Sequence, residues 1–497
     1  MHKGAAQSDC LAKEPTVTPP EPAKRKVIPI QALANQHTAL SASLQVEEST
    51  KLYPRSVDGL FARWRWGLVF LTQLVFYGLP WLQWSGRQAV LFDLETKRFF
   101  LFGLVLYPQD LIYLTGLLVI SALSLFLFTA VAGRLWCGYS CPQTVYTELF
   151  MWMERKTEGD RAARMRLDQG PWNFNKLWRK SAKQLLWVSV ALWTGFTFVG
   201  YFTPILELVG ELRSFSFGPW EWFWVLFYGA ATYGNAGFLR EKICLHMCPY
   251  ARFQSAMFDR DTLTVTYDRA RGEPRGARSR KADPAQLALG DCVDCTLCVQ
   301  VCPTGIDIRN GLQYECIGCG ACIDVCDTVM EKVGYPKGLI RYTTENALER
   351  HWSQREVLAH VLRPRVLLYS GIILAITIGM FVSLSLRTPF KVDVVRDRGV
   401  MARIADNGQY ENVYRLQIMN ASEQDHSYRI RASGMAGLRV LPDTLVQVAA
   451  AQSQWVVVQL QAPPDTAPAG TTKVQFEVTL EDSTHTVTEK TVFMTPR

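Results

Sequence analysis

Apolar residues along this 497-residue chain fall into five long runs that are separated by polar segments. A membrane-spanning helix needs about 20 predominantly apolar residues. Five runs approach or reach that length, at about 66–84, 111–132, 185–202, 220–239 and 366–386. The pattern therefore predicts five transmembrane helices. A core helix of a soluble protein is also apolar, but a charge-free run such as the first one favours a membrane span.

Beyond the fifth run, the pattern changes to an alternation of apolar and polar residues with a period of two. Segments such as 413–419, 455–460 and 474–480 have the length of strands, and Pro, Gly and Asp lie between the segments. Short strands at near-regular spacing predict an antiparallel β-sandwich of immunoglobulin type over residues 388–497. No nucleophile or set of metal ligands stands out in this domain, so we expect it to serve docking.

Basic residues are concentrated in the segment after the second apolar run and in the segment that follows the fourth. Cytoplasmic loops of membrane proteins carry an excess of Lys and Arg. We therefore expect both segments inside the cell and residues 388–497 outside the cytoplasm. Residues 1–60 contain no apolar run that resembles a signal peptide and are predicted to be a disordered cytoplasmic N-terminus. The net charge of +8 reflects this topology and not a patch for nucleic acid.

Eight cysteines between residues 292 and 326 form two runs with the same spacing. Gaps of two residues separate the first three cysteines of each run, and a gap of three precedes the fourth: Cys292, Cys295, Cys298 and Cys302, then Cys316, Cys319, Cys322 and Cys326. This spacing is typical of bacterial ferredoxins that hold two 4Fe–4S clusters. A zinc ribbon would show two pairs and a long spacer instead. The spacing predicts a two-cluster ferredoxin domain within residues 261–365.

The fourth cysteine of each run is expected to bind the cluster of the other run, as in bacterial ferredoxins. One cluster would then be held by Cys292, Cys295, Cys298 and Cys326, and the second by Cys316, Cys319, Cys322 and Cys302. Shared runs of this kind place the two clusters close together. The second run departs from the pattern because Asp327, and not proline, follows its last cysteine. This difference affects a turn more than the ligands.

A second cysteine pattern stands where the second and fourth predicted helices end, within the predicted membrane domain of residues 61–260. The motif Cys-x3-Cys-Pro occurs twice, at Cys137 and Cys141 and again at Cys244 and Cys248. The repetition indicates a duplicated unit whose two thiol pairs meet at a pseudo-two-fold interface. Residues four apart share one helical face, so each pair can present two sulfurs to one site. The proline would free a carbonyl group or bend the helix.

The chemistry of these four cysteines stays open at this point. Soft thiolates select Cu(I), zinc or iron–sulfur clusters, and Arg134, Arg240 and Lys242 are expected to lower the thiol pKa. A copper site, the ligands of a further metal centre and a dithiol–disulfide relay are all compatible with the motif. Cysteines that merely pack between helices are the bland alternative. His246 and Met247 suit copper, but helical direction turns them away from the shared face.

Twelve of the 13 cysteines belong to these two patterns. Such grouping argues against a disulfide framework and for thiols that the cytosol keeps reduced. Cys10 is left over, and we expect it to be an unpaired thiol in the disordered segment.

The order of these parts resembles the FixG/RdxA/CcoG family. The resemblance rests on the two hairpins that end in Cys137-x3-Cys141-Pro142 and Cys244-x3-Cys248-Pro249, the ferredoxin run, the fifth helix and the outer β-domain, and it covers about residues 60–497. It implies a multi-domain, multi-pass protein of the bacterial inner (cytoplasmic) membrane. Its fold would be a five-helix transmembrane bundle with a bacterial ferredoxin-like insert and a C-terminal immunoglobulin-like β-sandwich in the periplasm.

The resemblance also implies a role in assembly of the cbb3-type cytochrome c oxidase, as a cupric reductase that supplies Cu(I) for the copper centre of the oxidase. Cys137, Cys141, Cys244 and Cys248 would then be the catalytic residues and would bind copper transiently. Low-potential clusters make electron transfer to Cu(II) downhill. The implied partners are copper ions, oxidase subunits or copper chaperones, and a cytoplasmic electron donor.

Two other functions are compatible with the same sequence. One is a quinol- or flavin-linked conduit that delivers electrons to a periplasmic reductase, as other membrane polyferredoxins do. The chain lacks a Gly-x-Gly-x-x-Gly dinucleotide fingerprint, but a quinone pocket leaves no motif. The other is a scaffold whose outer domain holds an oxidase subunit while the clusters sense the redox state. Bound quinol or flavin in the purified protein would favour the conduit, and oxidase assembly by a cluster-free variant would favour the scaffold.

Overall fold

A computed structural model describes residues 51–278, 288–397, 399, 402–443, 445–466 and 470–495. Its helices are α1 (Leu60–Gly78), α2 (Leu111–Ala132), α3 (Leu135–Tyr139), α4 (Pro142–Glu158), α5 (Arg161–Gln169), α6 (Phe174–Val199), α7 (Ile205–Ser214), α8 (Pro219–Tyr233), α9 (Pro249–Met257), α10 (Arg269–Gly272), α11 (Leu297–Gln300), α12 (Ala321–Val333), α13 (Glu345–Arg350), α14 (Gln354–Val361) and α15 (Pro364–Ser385). Two π-helical segments, Gly234–Leu239 and Ile243–Met247, lie between α8 and α9.

The strands lie in three parts of the chain. Five short strands precede α2, namely β1 (Gln83–Trp84), β2 (Arg87–Gln88), β3 (Val90–Asp93), β4 (Arg98–Leu101) and β5 (Leu104–Leu106). The ferredoxin-like part contains β6 (Thr264–Tyr267) and β7 (Ile340–Thr343). The C-terminal part contains β8 (Phe390–Arg396), β9 (Arg403–Ile404), β10 (Tyr410–Asn420), β11 (His426–Ser433), β12 (Arg439–Leu441), β13 (Val446–Val448), β14 (Ser453–Ala462), β15 (Gly470–Leu480) and β16 (Thr486–Thr495).

Two helical segments of the described residues, Pro108–Ala132 and Pro364–Ser385, are long and apolar enough to cross a membrane. They contain α2 and α15, which lie side by side in opposite directions. Tyr113 Oη lies 3.1 Å from Ser383 Oγ at one end, and Arg363 donates a hydrogen bond to the Ala130 carbonyl at the other. A helix of 22 residues spans about 33 Å, which matches the apolar core of a bilayer. The full five-helix bundle stays a prediction.

The other three predicted spans also form helices, but with different bounds. The first begins at Leu60 and not at 66, and it ends at Gly78, before the turn at Pro80. The predicted span at 185–202 belongs to a helix that begins at Phe174, because the Asn173 side chain caps the Lys176 N–H. The span at 220–239 is split into α8 and the π-helical segment. Hydropathy marks apolar stretches, whereas caps and prolines set helix ends.

The predicted disordered segment at residues 1–60 lies mostly outside the described residues. Its last part makes defined contacts, so the prediction is wrong there. The Ser56 hydroxyl lies 3.0 Å from the Asp160 carboxylate, and the Arg55 N–H donates to the Gln300 carbonyl at 2.9 Å. Val57 packs beside Val301 of the ferredoxin-like part. Single polar contacts of this kind leave no periodic signal in a sequence.

The C-terminal strands form two antiparallel sheets. One has the order β12–β14–β10–β8, with β9 beside β10, and the other has the order β13–β11–β15–β16. Tyr414, Tyr428, Phe476 and Phe493 are fully buried among the apolar side chains of both sheets. This arrangement confirms the predicted β-sandwich. Strands β8, β9 and β13 lie outside the six segments that the alternation predicted, which are 413–419, 428–432, 438–441, 455–460, 474–480 and 486–493.

A small sheet of β3, β4 and β5 packs against this sandwich, a contact that the sequence did not predict. Leu91, Phe100 and Val105 form one apolar cluster with Met419 and Ala451 of the sandwich. The Tyr107 hydroxyl donates to the Asn420 carbonyl at 3.0 Å. The sandwich is thus joined to the N-terminal end of α2. The ferredoxin-like part lies at the C-terminal end of the same helix.

Candidate functional site

The eight ferredoxin cysteines line two neighbouring cavities. Cys292, Cys295, Cys298 and Cys326 border one cavity, and Cys302, Cys316, Cys319 and Cys322 border the other, which Cys298 also reaches. These are the two sets that the crossed pattern of ligands predicts. Helix α12 explains the crossing, because Cys322 and Cys326 lie one turn apart on it and face different cavities. The last cysteine of each run therefore lies with the other run.

Backbone turns bring the cysteines of the second run around their cavity. Gly318 and Gly320 both have positive φ angles, of 65° and 70°, which glycine adopts without steric cost. Gly320 also precedes α12, so the chain reverses sharply between Cys319 and the first turn of that helix. Three sulfurs of one run consequently reach a single cavity.

The residues around both cavities fit iron–sulfur clusters. Apolar residues line both, among them Val265 and Ile306 in the cavity of the second run and Ile340 in the other. Burial raises the pKa of the Cys298 thiol to about 11 and that of Cys316 to about 12. Iron binds thiolates, so the metal must displace these protons when a cluster is inserted. Four soft donors in an apolar cavity are what a 4Fe–4S cluster requires.

Each Cys-x3-Cys-Pro motif lies at a break between two helical segments. Cys137 belongs to α3, whereas Cys141 is the N-cap of α4 and Pro142 is its first residue. In the same way, Cys244 lies in the π-helical segment and Cys248 caps α9. Proline suits the first position of a helix, where its missing N–H is not needed. The expectations that each pair shares one helical face and that the proline bends a helix are therefore wrong.

The two motifs nevertheless meet in space. Besides burial, which is the largest cause, a charge on Cys248 raises the pKa of both Cys137 and Cys141, and charges on Cys141 and Cys137 raise that of Cys244. The amide of Gln254, which α9 carries, lies 3.5 Å from the Cys137 sulfur. The duplicated hairpins thus bring their four thiols together into one group, which we call the four-thiol site.

Burial is the largest influence on the pKa of the Cys137, Cys141 and Cys244 thiols. It raises the pKa of the Cys137 thiol to about 11 and that of Cys244 to about 12. Arg134 lowers both values but does not outweigh burial. Arg240 instead forms an ion pair with Glu154 at 2.9 Å. Arg134 thus acts in the expected direction, but the pKa of both thiols is raised overall and not lowered as expected.

No three His, Cys, Asp or Glu side chains within the described ranges are placed to hold one metal ion. This holds for the ferredoxin cysteines as well as for the four-thiol site. A cubane cluster holds its thiolates at four different irons, so its ligands stand farther apart than those of a single ion. Cu(I) accepts as few as two thiolates. His246 and Met247 are exposed beside the site.

The four-thiol site directly contacts the ferredoxin-like part. A Cβ atom on Gly138 would lie 2.8 Å from Cys319 Cα, so the two backbones touch. Gly318 approaches the Arg134 backbone in the same way, at 3.2 Å. A small cavity lined by both Cys244 and Cys319 lies between the two sites. The cavity of the second cysteine run is therefore the one next to the four thiols.

Two glutamines of this region were missed in the sequence. Gln254 is fully buried against Cys137, and Gln143 donates to the carbonyl groups of Asn235 and Arg240 at 2.9 and 3.1 Å. Gln143 thereby ties the first motif to the segment that precedes the second. A glutamine directly after the Cys-Pro pair was a signal, but the second motif has Tyr250 at that position.

Three protein-family models match the chain. A 4Fe-4S dicluster domain covers residues 239–345, and a 4Fe-4S binding domain covers residues 114–158, which include Cys137 and Cys141. The IG-like fold at the C-terminal of FixG covers residues 380–496. These matches show that the chain carries iron–sulfur domains and confirm the immunoglobulin-like C-terminal part.

The chain is similar over most of its length to proteins of two bacteria. It is 37% identical over 420 residues to nitrogen fixation protein FixG of Rhizobium meliloti. That alignment covers 78% of this chain and 80% of the relative. The chain is 37% identical over 446 residues to protein RdxA of Cereibacter sphaeroides, with 87% and 94% covered, and 38% identical over 443 residues to protein RdxB of that organism, with 87% and 93% covered.

A solved structure also matches part of the chain. The crystal structure of a FixG-related protein from Vibrio parahaemolyticus is 24% identical and covers 22% of this chain and 97% of that chain, with a TM-score of 0.20.

Proposed function

Because this chain belongs to the FixG/RdxA family, we propose that its iron–sulfur electron transfer ends on Cu(II), which it reduces to Cu(I) at the four-thiol site. The family and the two long apolar helices indicate an iron–sulfur protein of a membrane. Copper as the electron acceptor is the proposal. The Cu(I) that forms is proposed to supply the copper centre of the cbb3-type oxidase.

The contact between Gly138 and Cys319 carries this proposal. Electron transfer requires short distances between donor and acceptor, and here the backbone of a Cys-x3-Cys-Pro motif touches that of a ferredoxin cysteine. When bound, the clusters supply one-electron reduction at low potential. We assign Cys292, Cys295, Cys298 and Cys326 to the cluster that is farther from the four thiols. Cys302, Cys316, Cys319 and Cys322 would hold the cluster beside the four thiols.

The four thiols are suited to the product more than to the substrate. Thiolate sulfur is soft and prefers Cu(I) over Cu(II). Two of the thiols among Cys137, Cys141, Cys244 and Cys248 would therefore hold the ion once it has gained one electron. Burial keeps the Cys137 and Cys244 thiols protonated in the metal-free protein, so copper binding releases protons. Exposed His246 and Met247 lie where an incoming ion would meet the site.

The proposed orientation places the clusters and the four thiols in the cytoplasm and the β-sandwich in the periplasm. Basic residues around the ferredoxin-like part support this orientation. The two parts lie at opposite ends of the α2 and α15 pair, so reduced copper would need a carrier to reach a periplasmic centre. Copper chaperones or oxidase subunits are the proposed partners, with a cytoplasmic electron donor.

An anaerobic titration with Cu(II) tests the proposal. The detergent-purified protein is reduced, and cluster EPR is followed together with a chelator specific for Cu(I). We expect one Cu(I) to form for each electron that the clusters lose. The double variant Cys137→Ser with Cys141→Ser should keep its cluster iron and lose this reaction. Clusters that stay reduced in the presence of Cu(II) would contradict the proposal.

A further 4Fe–4S cluster at the four thiols is the second candidate. The 4Fe-4S binding domain that matches residues 114–158 supports it, because that match includes Cys137 and Cys141. Two clusters contain eight iron atoms and three contain about twelve. Iron analysis of the wild-type chain and of the double serine variant separates the candidates. Loss of about four irons in the variant would identify these thiols as cluster ligands.

A further inference from the structure

A cavity of 440 Å³ lies between the start of α1, helix α4 and the ferredoxin-like part. Its wall includes Pro303, the residue that follows Cys302, the last cysteine of the first run. The four-thiol cysteines do not line it, so it is separate from the site described above. Cavities of this size hold small organic molecules in many proteins. Its place beside a ferredoxin cysteine suits a molecule that exchanges electrons with that part of the chain.

One side of the cavity is aromatic. The rings of Trp66 and Trp152 have their centres 6.5 Å apart and are inclined by 66°, and Phe70 lies 5.7 Å from Trp66. Trp152 and Phe70 are also exposed to the outside, by 41% and 67%. Large aromatic side chains that are left open in this way offer flat apolar surface to a planar ring. The cavity is thus accessible to a ligand from the surface.

The other side of the cavity is basic. It is lined by four arginines, Arg55, Arg65, Arg155 and Arg164. The acidic residues on the same wall are Asp58 and Glu148. Arg65 pairs with Glu148 at 3.6 Å, and Arg164 pairs with Glu154 at 2.7 Å. Arg55 and Arg155 form no ion pair within the part of the chain that the structure describes. The wall therefore carries cationic groups that are left for an anion.

Arg65 and Arg164 are the two buried arginines of this wall. The Nε atoms of Arg65 and Arg164 are buried and have no hydrogen-bond partner among the described residues. Both residues line the cavity and are 7% and 3% exposed. A buried donor without a partner is costly, and guanidinium groups bind phosphate through paired N–H groups. The Nε atoms are closed off from solvent, so an anionic oxygen in the cavity would meet the terminal nitrogens of the arginines and not Nε.

We propose that this cavity binds a phosphorylated flavin, with its ring system against Trp66 and Trp152 and its phosphate on the arginines, as the electron donor to the adjacent ferredoxin-like part. The reduced flavin would lose two electrons and two protons and leave as oxidised flavin. The electrons would reduce the two clusters by one electron each, and the protons would pass to solvent. This step rests on the proposed function only for where the electrons go next.

Ligand binding by the full-length protein in detergent tests the site. Quenching of the protein's own fluorescence is measured with flavin mononucleotide, riboflavin, inorganic phosphate and a short-chain quinone. We expect flavin mononucleotide to bind at least tenfold more tightly than riboflavin, and Arg155→Gln and Trp152→Ala each to weaken it by about tenfold or more, the effect of losing one charge-assisted contact. Arg179→Gln is the matched control, because Arg179 contacts Asn175 and does not line the cavity.

Cluster reduction in the absence of copper provides a second readout that does not depend on the acceptor. Reduced flavin mononucleotide should bleach the cluster absorbance of the wild-type protein anaerobically and do so more slowly in Arg155→Gln. Dithionite reports whether the clusters of the variant are intact. Equal affinity for riboflavin, no flavin binding, or binding of the quinone alone would each overturn the proposal. Failure of Cu(II) reduction with normal flavin-driven bleaching would overturn only the proposed function.

Discussion

Gly138 and Cys319 touch through their backbones, since a Cβ on Gly138 would lie 2.8 Å from Cys319 Cα and 2.8 Å from the Ile317 carbonyl. Gly138 directly follows Cys137 of the four-thiol site, and Cys319 lies at the centre of the second ferredoxin run. The two cysteine systems therefore meet without an intervening side chain. Any side chain larger than hydrogen at position 138 must separate them.

The variant Gly138→Ala should weaken this contact. The new methyl group displaces backbone atoms, which typically costs about 1–3 kcal/mol, and it lengthens the path between the sites. We expect normal cluster content and slower oxidation of reduced clusters by Cu(II) in stopped-flow absorbance. Gly210→Ala is the control, because a Cβ there meets no atom within 4 Å. Unchanged oxidation rates in both variants would show that the contact is not on the electron path.

Cys302→Ser and Cys326→Ser should have different effects, although both replace the fourth cysteine of a run. Cys302 lies with the cluster cavity beside the four thiols, and Cys326 lies with the other cavity. We expect Cys302→Ser to abolish copper reduction. Cys326→Ser should keep one dithionite-reducible cluster that still passes its electron to Cu(II). EPR with Cu(I) detection measures both, and equal loss of reaction in the two variants would contradict the assigned order.

Glu154→Gln should destabilise the helical part. Burial alone would raise the pKa of Glu154, but Arg240, Arg164 and Lys183 hold it below the ordinary value of 4.5. Glu154 is 1% exposed, and removal of one partner from a buried ion network costs about 3–5 kcal/mol. The expected result is a lower midpoint of thermal unfolding at neutral pH. Glu349→Gln, which alters an exposed pair with Arg260, should change it little.

The same glutamate predicts a dependence of stability on pH. Because its pKa is lower in the folded protein, its stabilising effect is complete above pH 4.5 and is lost as the pH falls through the folded-state value. Thermal unfolding between pH 3 and pH 7 should therefore show a loss of stability at acidic pH that is smaller in Glu154→Gln. Parallel curves for the two proteins would show that other carboxylates cause the loss.

Asp110→Asn should loosen the β-sandwich from the helices. Asp110 is 4% exposed and accepts hydrogen bonds from Arg387 at 2.6 Å and from Lys391. Loss of its charge leaves two cations near the end of α15 without a counter-ion, at a cost of about 3 kcal/mol or more. We expect faster hydrogen exchange in β5 and β8. Glu481→Gln at the exposed pair with Arg429 is the control and should not affect these strands.

The sequence was most informative where spacing carries the chemistry. Two runs of cysteines predicted both the ferredoxin-like part and the two sets that line its cavities, because ligand spacing is a local property of the chain. The period-two alternation predicted the β-sandwich for the same reason. The helix bounds at Leu60 and Phe174 were missed, since caps and turns set them. The sheet of β3 to β5 was missed because its apolar residues pack on a distant part of the chain.

By itself, the sequence determined which residues carry the chemistry: twelve patterned cysteines, two proline-terminated motifs and the apolar runs. Only the tertiary structure decided how these parts meet. Cys137 and Cys244 lie far apart in the chain, and no periodicity encodes the contact of Gly138 with Cys319 or the burial that raises the thiol pKa values. Proximity and desolvation depend on long-range packing, and they bring separate cysteine motifs into direct contact.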